Sequence, residues 1–319
     1  MMAARLQVVY AGPLTTVQDR GRFGYQRYGV TEGGPMDRAA FAIGQAALGS
    51  AAGGASIEVG FAGVTLRSTA GSISLAVTGG NFTVTIDGER QAPWSVATLG
   101  SGMELAITPG RWGSWCYLAV AGAIVWPVWL GSRSTNPASP FTGRALTRGD
   151  EIVIEDVRSP PASRHELTIP VFCQPRNVVS LVPGPQERFF DAEALGRLFA
   201  ETYHLSTDID RMGVRLEGPK LPIAARLDMP SEGIVRGSVQ VPGSGDPLVL
   251  LADHQTTGGY PKIATMISAD HDAFAQLRPR HPVRFRAVTV EHAVARARTR
   301  RKALEDYLAT MRRNVPAPG

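Results

Sequence analysis

The chain has 319 residues, 44% of them hydrophobic, and 33 Lys and Arg against 28 Asp and Glu, a formal net charge of +5. That length allows about two domains, and the ordinary balance of apolar and charged residues sets aside a disordered or low-complexity polypeptide. Glycine (35) and proline (23) are frequent, so many reversals and short elements are expected, which favours a mostly β protein over a helical bundle.

Taken in chain order, the opening stretch MMAARLQVVYAGPLTTVQD lacks the hydrophobic run of a signal peptide. A first helix is expected over Asp37 to Leu48, with Pro35 near its start and Gly49 as its stop. Ile73, Leu75 and Val77 alternate with small polar or Ala positions, and Phe82, Val84 and Ile86 alternate with Thr83, Thr85 and Asp87 before an Asp87-Gly88 turn. Such period-two patterns predict half-buried strands, one face on a core and one in water. The longest apolar stretch, around Tyr117 to Leu130, is too short and too broken by Gly and Pro to span a bilayer. A cytoplasmic protein with no membrane partner is expected. The run RSPPASR over Arg158 to Arg164 reads as a linker and divides the chain into residues 1–160 and 165–319, two barrel-like β halves.

In the second half a helix is expected over Asp191 to Tyr203, with Leu195, Leu198 and Phe199 on one face. Leu248 to Leu251 reads as an interior strand, and Val283, Phe285 and Ala287 alternate with Arg284 and Arg286. A C-terminal basic helix over Glu291 to Arg313 follows, with Ala293, Val294, Ala297, Leu304, Leu308 and Met311 as its buried stripe. It carries seven basic and three acidic residues, most of the net charge, so the rest of the chain is near neutral. No aromatic residue is interleaved with the basic cluster and no base-reading motif appears, so no nucleic-acid partner is expected. The Pro-rich residues 315–319 read as a frayed end.

The standard chemical motifs are missing: no GxxxxGK[ST] phosphate loop, no GxGxxG, no GxSxG elbow, no HExxH and no CxxC. The six histidines show no metal-ligand spacing, so no metal site is expected. Cys116 and Cys173 stand in apolar contexts and read as free thiols in a reducing compartment.

What remains is a set of polar clusters bracketed by glycines. The first runs from Leu14 through Gln18, Asp19, Arg20, Gly21 and Arg22 to Gly33, Gly34, Met36 and Asp37. Its Asp and Arg can offer an acceptor and a planar donor fork to a polar ligand, or can brace a glycine loop. The second, Gly131 to Thr135, sets Ser132, Ser134 and Thr135 around Arg133; it can hold an anion or cap a turn. The third is Asp210-Arg211-Met212-Gly213 with Arg215 and Gly218, for which an Asp–Arg brace is the simplest account. The fourth is richest: Glu232-Gly233 and Gln240 precede Asp253, His254, Gln255, Thr256, Gly258, Gly259, Tyr260 and Lys262. An apolar strand that ends in Asp, Gln, Thr, Tyr and Lys is how a rigid scaffold presents chemistry at its rim.

These runs, TTVQDRGRFGYQRYGV with GGPMD, YLAVAGAI with GSRST, DRMGVRLEG, SEGIVRGSVQVP and DHQTTGGYPKIA, cover roughly Val8 to Val290 in order. As a set they resemble the family of the bacterial 5-oxoprolinase C subunit, also known as allophanate hydrolase subunit 2 or biotin-dependent carboxyltransferase. The resemblance implies a mostly β fold of two cyclophilin-like β-barrel domains and obligate A and B partner subunits. It implies ATP-dependent opening of 5-oxoproline to glutamate by the complex, a hydrolase activity on a cyclic amide. ATP is used by the complex, and with no phosphate loop here it is expected on partner chains at least as much. The alternatives are a carboxyltransferase part acting on urea, with biotin on a separate carrier because no Met-Lys-Met attachment motif occurs here, or a regulatory partner of the B subunit without catalysis. Neutral, planar amides need charge stabilised on their oxygen. On that chemistry Asp19, Arg22, Asp253, Gln255 and Lys262 are the candidate catalytic residues. Gln18, Asp37, Arg133, Ser134, Arg211, Glu232, Gln240, Thr256 and Tyr260 are the candidate substrate contacts. The expectation is that Gln18–Arg22 and Asp253–Lys262 grip one amide.

Overall fold

A computed structural model of the chain describes residues 3–50, 54–158, 164–184, 186–224 and 229–314. The centre of the expected linker, 159–163, and the Pro-rich end, 315–319, lie outside the described residues. The chain forms two compact units: Met1–Arg22, Gly33–Gln174 and Leu304–Gly319 in unit 1, Phe23–Glu32 and Pro175–Ala303 in unit 2. The units are therefore not consecutive stretches. A ten-residue segment of the first glycine-rich cluster belongs to unit 2, and the end of the last helix belongs to unit 1.

Unit 1 holds two antiparallel sheets. The seven-stranded sheet runs in the order Ala123–Ile124, Glu151–Glu155, Ala4–Ala11, Val64–Ala70, Glu104–Trp112, Asn81–Ile86 and Glu89–Gln91. The six-stranded sheet runs His165–Glu166, Ser95–Leu99, Ile73–Thr78, Trp115–Val120, Ser56–Gly60 and Thr16–Gln18. Leu6, Leu66, Phe82 and Ile107 of the first share one buried cluster with Ile57, Leu75 and Leu118 of the second. Asn81–Ile86 alternates half-buried and buried as its sequence requires. Ile73–Thr78 is buried at every position, where the alternation predicted a wet face. Helix α1 (Arg38–Ala47) covers that face: Ala47, Ala76 and Ala119 pack together, and the Thr78 hydroxyl donates to the Ala40 carbonyl at 2.8 Å. Small side chains under a helix keep period two while losing the polar half of it.

Unit 2 is a closed seven-stranded barrel in the order Val178–Pro183, Lys262–Met266, Ser238–Gln240, Leu248–Leu250, Gly213–Glu217, Thr202–Ile209 and Pro282–Ala287. Parallel pairing of Val178–Pro183 with Pro282–Ala287 closes the ring, and the other ladders are antiparallel. Val214, Leu216, Val239, Val249 and Ala264 are fully buried on the inner side. Helix α2 (Ala192–Ala200) is capped by Asp191, whose carboxylate accepts from the Ala194 N–H at 2.7 Å. It stops short of its expected end because Thr202–Ile209 is taken into the barrel. A one-turn helix α3 (His271–Ala275) precedes the long helix α4 (Val290–Asn314).

The buried stripe of α4 differs from the expected one. Val294 is exposed, and Arg296 and Arg300 take half-buried places on the packed face. In unit 2 Arg296 donates to Asp270 Oδ1 at 2.9 Å and to Ser180 Oγ at 2.6 Å, and Arg300 reaches Asp272 at 3.3 Å. Arginine stems bury well while their heads stay paired, so a charged position can outcompete an apolar one for a helix face.

Candidate functional site

In unit 1 the first two clusters fold onto each other. Asp19 is nearly buried, and its carboxylate accepts from the Gly21 N–H (2.9 Å), the Ser132 hydroxyl (2.6 Å) and the Arg133 N–H (2.6 Å). Gln18 donates to Thr16 Oγ1 and the Thr135 carbonyl at 2.9 and 2.8 Å, and accepts from the Ser134 hydroxyl. Ser134 Oγ in turn accepts from the Gly34 N–H at 2.7 Å. Gly34 has φ +81°, and a Cβ there would stand 2.8 Å from the Arg20 carbonyl oxygen, so only glycine fits this crossing. Arg22, buried, donates to the Ser134 carbonyl and lies over the Trp129 ring at 5.3 Å. Trp129 stacks on the exposed Phe141. The expected Asp19–Arg22 pair is thus replaced by a mutual clamp of two loops. The hydroxyls of Gly131–Thr135 act as turn and loop anchors, the simpler of the two roles read from sequence.

Beneath these loops Asp37 caps α1, accepting from the Ala40 N–H at 2.9 Å. Its own N–H donates to the Tyr117 hydroxyl at 2.7 Å, and that hydroxyl donates to Glu58 at 2.8 Å. Glu58 also accepts from the Met36 N–H at 2.8 Å. All three side chains are fully buried. Burial, and then the Glu58 and Asp37 carboxylates, hold the Tyr117 hydroxyl well above its ordinary titration range. Asp37 is therefore placed as a cap, out of a ligand's reach. Burial also pushes the Cys116 thiol up, and both Cys116 and Cys173 are free and buried.

In unit 2 the third and fourth clusters meet. Arg211 makes a two-pronged pair with Asp253, Nε to Oδ2 at 2.8 Å and Nη2 to Oδ1 at 2.9 Å, and both side chains are within 2% of full burial. The Asp253 N–H also donates to the Arg211 carbonyl at 2.7 Å. Asp253 was expected to hold a ligand N–H; both its oxygens serve Arg211 instead. Asp210 caps the following turn through the Met212 and Gly213 N–H groups at 2.7 and 3.0 Å.

Lys262 begins a barrel strand and is nearly buried. Its ammonium donates to Glu232 Oε2 and to the Gly233 carbonyl, each at 3.2 Å. Gln186 binds both ends of this pair: it donates to Glu232 and accepts from the Lys262 N–H at 2.8 Å. Gln240, buried, reaches the Tyr260 carbonyl and accepts from Gln255 Nε2, both at 3.4 Å. The Thr256 carbonyl accepts from the Ile234 N–H at 3.0 Å, and Tyr260 is exposed. His254 donates through Nδ1 to the Gln255 carbonyl at 2.6 Å, and burial lowers its pKa, so the ring is neutral near pH 7.

Gln18, Asp19, Arg22, Asp37, Arg133 and Ser134 thus gather in unit 1, and Arg211, Glu232, Gln240, Asp253, Gln255, Thr256, Tyr260 and Lys262 in unit 2. Sequence reasoning missed Gln186, Glu58 and Tyr117. Gln186 carried a signal in the run PGPQ, a polar residue after punctuation that cannot continue a strand. Glu58 and Tyr117 sit inside apolar strands and gave none.

A scaffold of this kind, a closed barrel whose strand ends carry an anchored Lys and facing amides, is that of a carboxyltransferase domain. Residues 28–287 match the family described as carboxyltransferase domain, subdomain A and B, and the chain belongs to it. It is 35% identical over 306 residues to the 5-oxoprolinase C subunit of Haemophilus influenzae, covering 94% of this chain and 95% of that one. The 5-oxoprolinase C subunit of Escherichia coli is 32% identical, covering 91% and 93%. The crystal structure of K. lactis urea amidolyase superposes with a TM-score of 0.83 at 24% identity, over 95% of this chain and 20% of that much longer one, a likeness of fold. Among the described residues no helix is long and apolar enough to cross a membrane.

Proposed function

We propose that this chain is the C-type subunit of an ATP-dependent 5-oxoprolinase, opening 5-oxoproline to glutamate together with separate A-like and B-like subunits. The observation that carries this reading is the likeness to two 5-oxoprolinase C subunits along nearly their whole lengths. The unit 2 geometry is consistent with it. Opening a lactam adds water at the carbonyl carbon, builds negative charge on its oxygen, and breaks the C–N bond as nitrogen takes a proton. The Lys262 ammonium, fixed by Glu232 and the Gly233 carbonyl, is the donor we assign to that developing charge. Gln240 and Gln255 orient the amide, and Tyr260 closes the exposed side. Asp253 contributes by holding Arg211 and with it the loop that carries Gln255. Asp19, Arg22, Arg133 and Ser134 build a second polar loop in unit 1, with the Arg133 side chain as its group toward a ligand. ATP has no Gly-Lys-Ser/Thr cradle in this sequence and is assigned to partner chains.

The test is co-expression with the A-like and B-like proteins and an assay of 5-oxoproline-dependent phosphate release. Release that is lost in Lys262→Met supports the reading, and no release from a complete, folded assembly rejects it. The second reading is a carboxyltransferase part acting on urea, favoured by the urea amidolyase likeness. It requires biotin on a separate carrier and predicts urea-dependent turnover only when that carrier is supplied. Tight binding to the B-like protein without turnover in either assay would leave a regulatory module.

A further inference from the structure

On the outer side of the unit 2 barrel a cavity of about 170 Å³ is lined by Asp208, Asp210, Met212, Arg215, Leu248 and Leu250, with Gln255 on its wall and Gly213 in its floor. Its position follows from register. Arg215 pairs with Leu248, and Leu248 pairs with Gln240, so the three side chains stand in one row on the side opposite the buried Val214, Val249 and Val239. Directly paired side chains have Cβ atoms about 5 Å apart, which brings Arg215 within two strand spacings of Gln240. Gln255 joins the cavity to the Gln240–Lys262 cluster. A Cβ on Gly213 would stand 3.2 Å from Leu248 Cδ1, so glycine keeps the floor open.

The charged groups at this cavity divide by whether the protein already uses them. Asp210 is engaged by the Met212 and Gly213 N–H groups. Asp246, whose carboxylate feels Arg215, is paired with Lys220. The Arg215 guanidinium and the Asp208 carboxylate, by contrast, make no hydrogen bond or ion pair with any described residue, nor with each other. A guanidinium fork and a carboxylate in one small apolar-floored cavity form a preset pair of donor and acceptor.

We infer that this cavity seats a small cyclic amide that carries a carboxylate, with Arg215 on the carboxylate, Asp208 on the amide N–H, Gln255 on the amide oxygen, and the ring methylenes on Leu248 and Leu250. The inference rests on the proposed 5-oxoproline reading and adds to it the residues that choose the substrate. A cavity near 150 Å³ takes a molecule of benzene's size, so the volume suits one five-membered ring with one substituent. Urea has no carboxylate to offer Arg215, and 2-pyrrolidinone has the same ring and amide without it.

The experiment compares 5-oxoproline with 2-pyrrolidinone as substrates of the complete assembly, using wild type, Arg215→Leu, Arg215→Lys and Asp208→Asn. The Arg215 and Asp208 side chains have no partners among the described residues, so these variants fold; unchanged melting temperatures check this. Arg215→Leu lowers kcat/KM for 5-oxoproline by roughly 10- to 100-fold, mainly through KM, and collapses its preference over 2-pyrrolidinone, because a charge-assisted contact has been removed. Arg215→Lys restores part of the preference. A folded Arg215→Leu that keeps the wild-type preference overturns the inference while leaving the 5-oxoprolinase reading intact. If the wild-type assembly turns over no 5-oxoproline, that reading falls, and calorimetric titration of the full chain with 5-oxoproline decides this one. Binding that Arg215→Leu abolishes sustains it, and no binding overturns it.

Discussion

Removing the Asp253 carboxylate separates a bracing role from a ligand-binding one. In the fold that carboxylate receives both prongs of Arg211, at 2.8 and 2.9 Å, and the two side chains are 1% and 2% exposed. Asp253→Ala leaves a guanidinium buried without its counter-ion, which costs about 3–5 kcal/mol. For a chain of this size each kcal/mol lowers Tm by roughly 2–4 °C, so a fall of about 6–20 °C is expected. Arg211→Met should cost a similar amount. The double variant Arg211→Met with Asp253→Leu should recover most of the loss, since well-packed apolar residues often replace a buried pair at little cost. Trp94, Trp112, Trp115, Trp126 and Trp129 all belong to unit 1, so tryptophan fluorescence does not follow unit 2. Scanning calorimetry or far-ultraviolet circular dichroism of the full chain does. An Asp253→Ala protein within about 1 kcal/mol of wild type that has nonetheless lost turnover would refute the brace, and would return Asp253 to the role of ligand acceptor.

Three further outcomes follow from the same geometry. Asp270→Ala removes the acceptor of Arg296 and of the Ser180 N–H and should cost about 3–5 kcal/mol; Arg300→Ala, at a more accessible pair, should cost under about 1 kcal/mol, and hydrogen exchange at residues 290–303 should separate the two. Tyr203 is buried, its hydroxyl has no hydrogen-bond partner among the described residues, and burial pushes its pKa up to about 12. Below pH 10 Tyr203→Phe should be neutral or slightly stabilising. Between pH 10 and 12 the wild type should lose stability as the unfolded chain releases a proton that the fold retains, at up to about 1.4 kcal/mol per pH unit, and the variant should lose less. His254 has the opposite sign: its pKa is lowered by burial, so its stabilising contribution is present above the unfolded value and fades as pH falls below about 6.5. Denaturant titrations at pH 5 and 8 on wild type and His254→Asn should show the acid sensitivity reduced in the variant.

The strands and helix ends were legible because each is decided locally. Asp37 and Asp191 announced helix starts as caps, and Phe82, Val84 and Ile86 announced a one-sided strand. What could not be read was anything set by a neighbour distant in sequence. Ile73–Thr78 lost its wet face to α1, and Tyr203 moved from the end of a helix into a barrel. Arg296 and Arg300 took helix positions that an apolar pattern assigned to Val294, because Asp270 and Asp272 stood opposite them.

The same limit explains how the polar clusters divide. A motif reports which residue types are gathered, and it is silent on whether they face each other or a ligand. Asp19, Ser132, Ser134, Asp37, Arg211 and Asp253 all resolve into internal partners, with nearly every acceptor facing a donor from another loop. Their chemistry is the chemistry of holding glycine-rich backbone in shape, which a barrel rim needs before it can present anything. Lys262 and Gln255, by contrast, are held loosely, by contacts of 3.2 to 3.4 Å, and the Arg215 and Asp208 side chains by none among the described residues. Long or missing contacts on a rigid frame mark groups that can exchange a protein partner for a ligand at little energetic cost. The division places recognition on the outer row Gln240, Leu248 and Arg215 with the Lys262 strand end beside it, and it makes the buried Asp–Arg pair the part of the motif that a stability measurement, not a turnover assay, should report first.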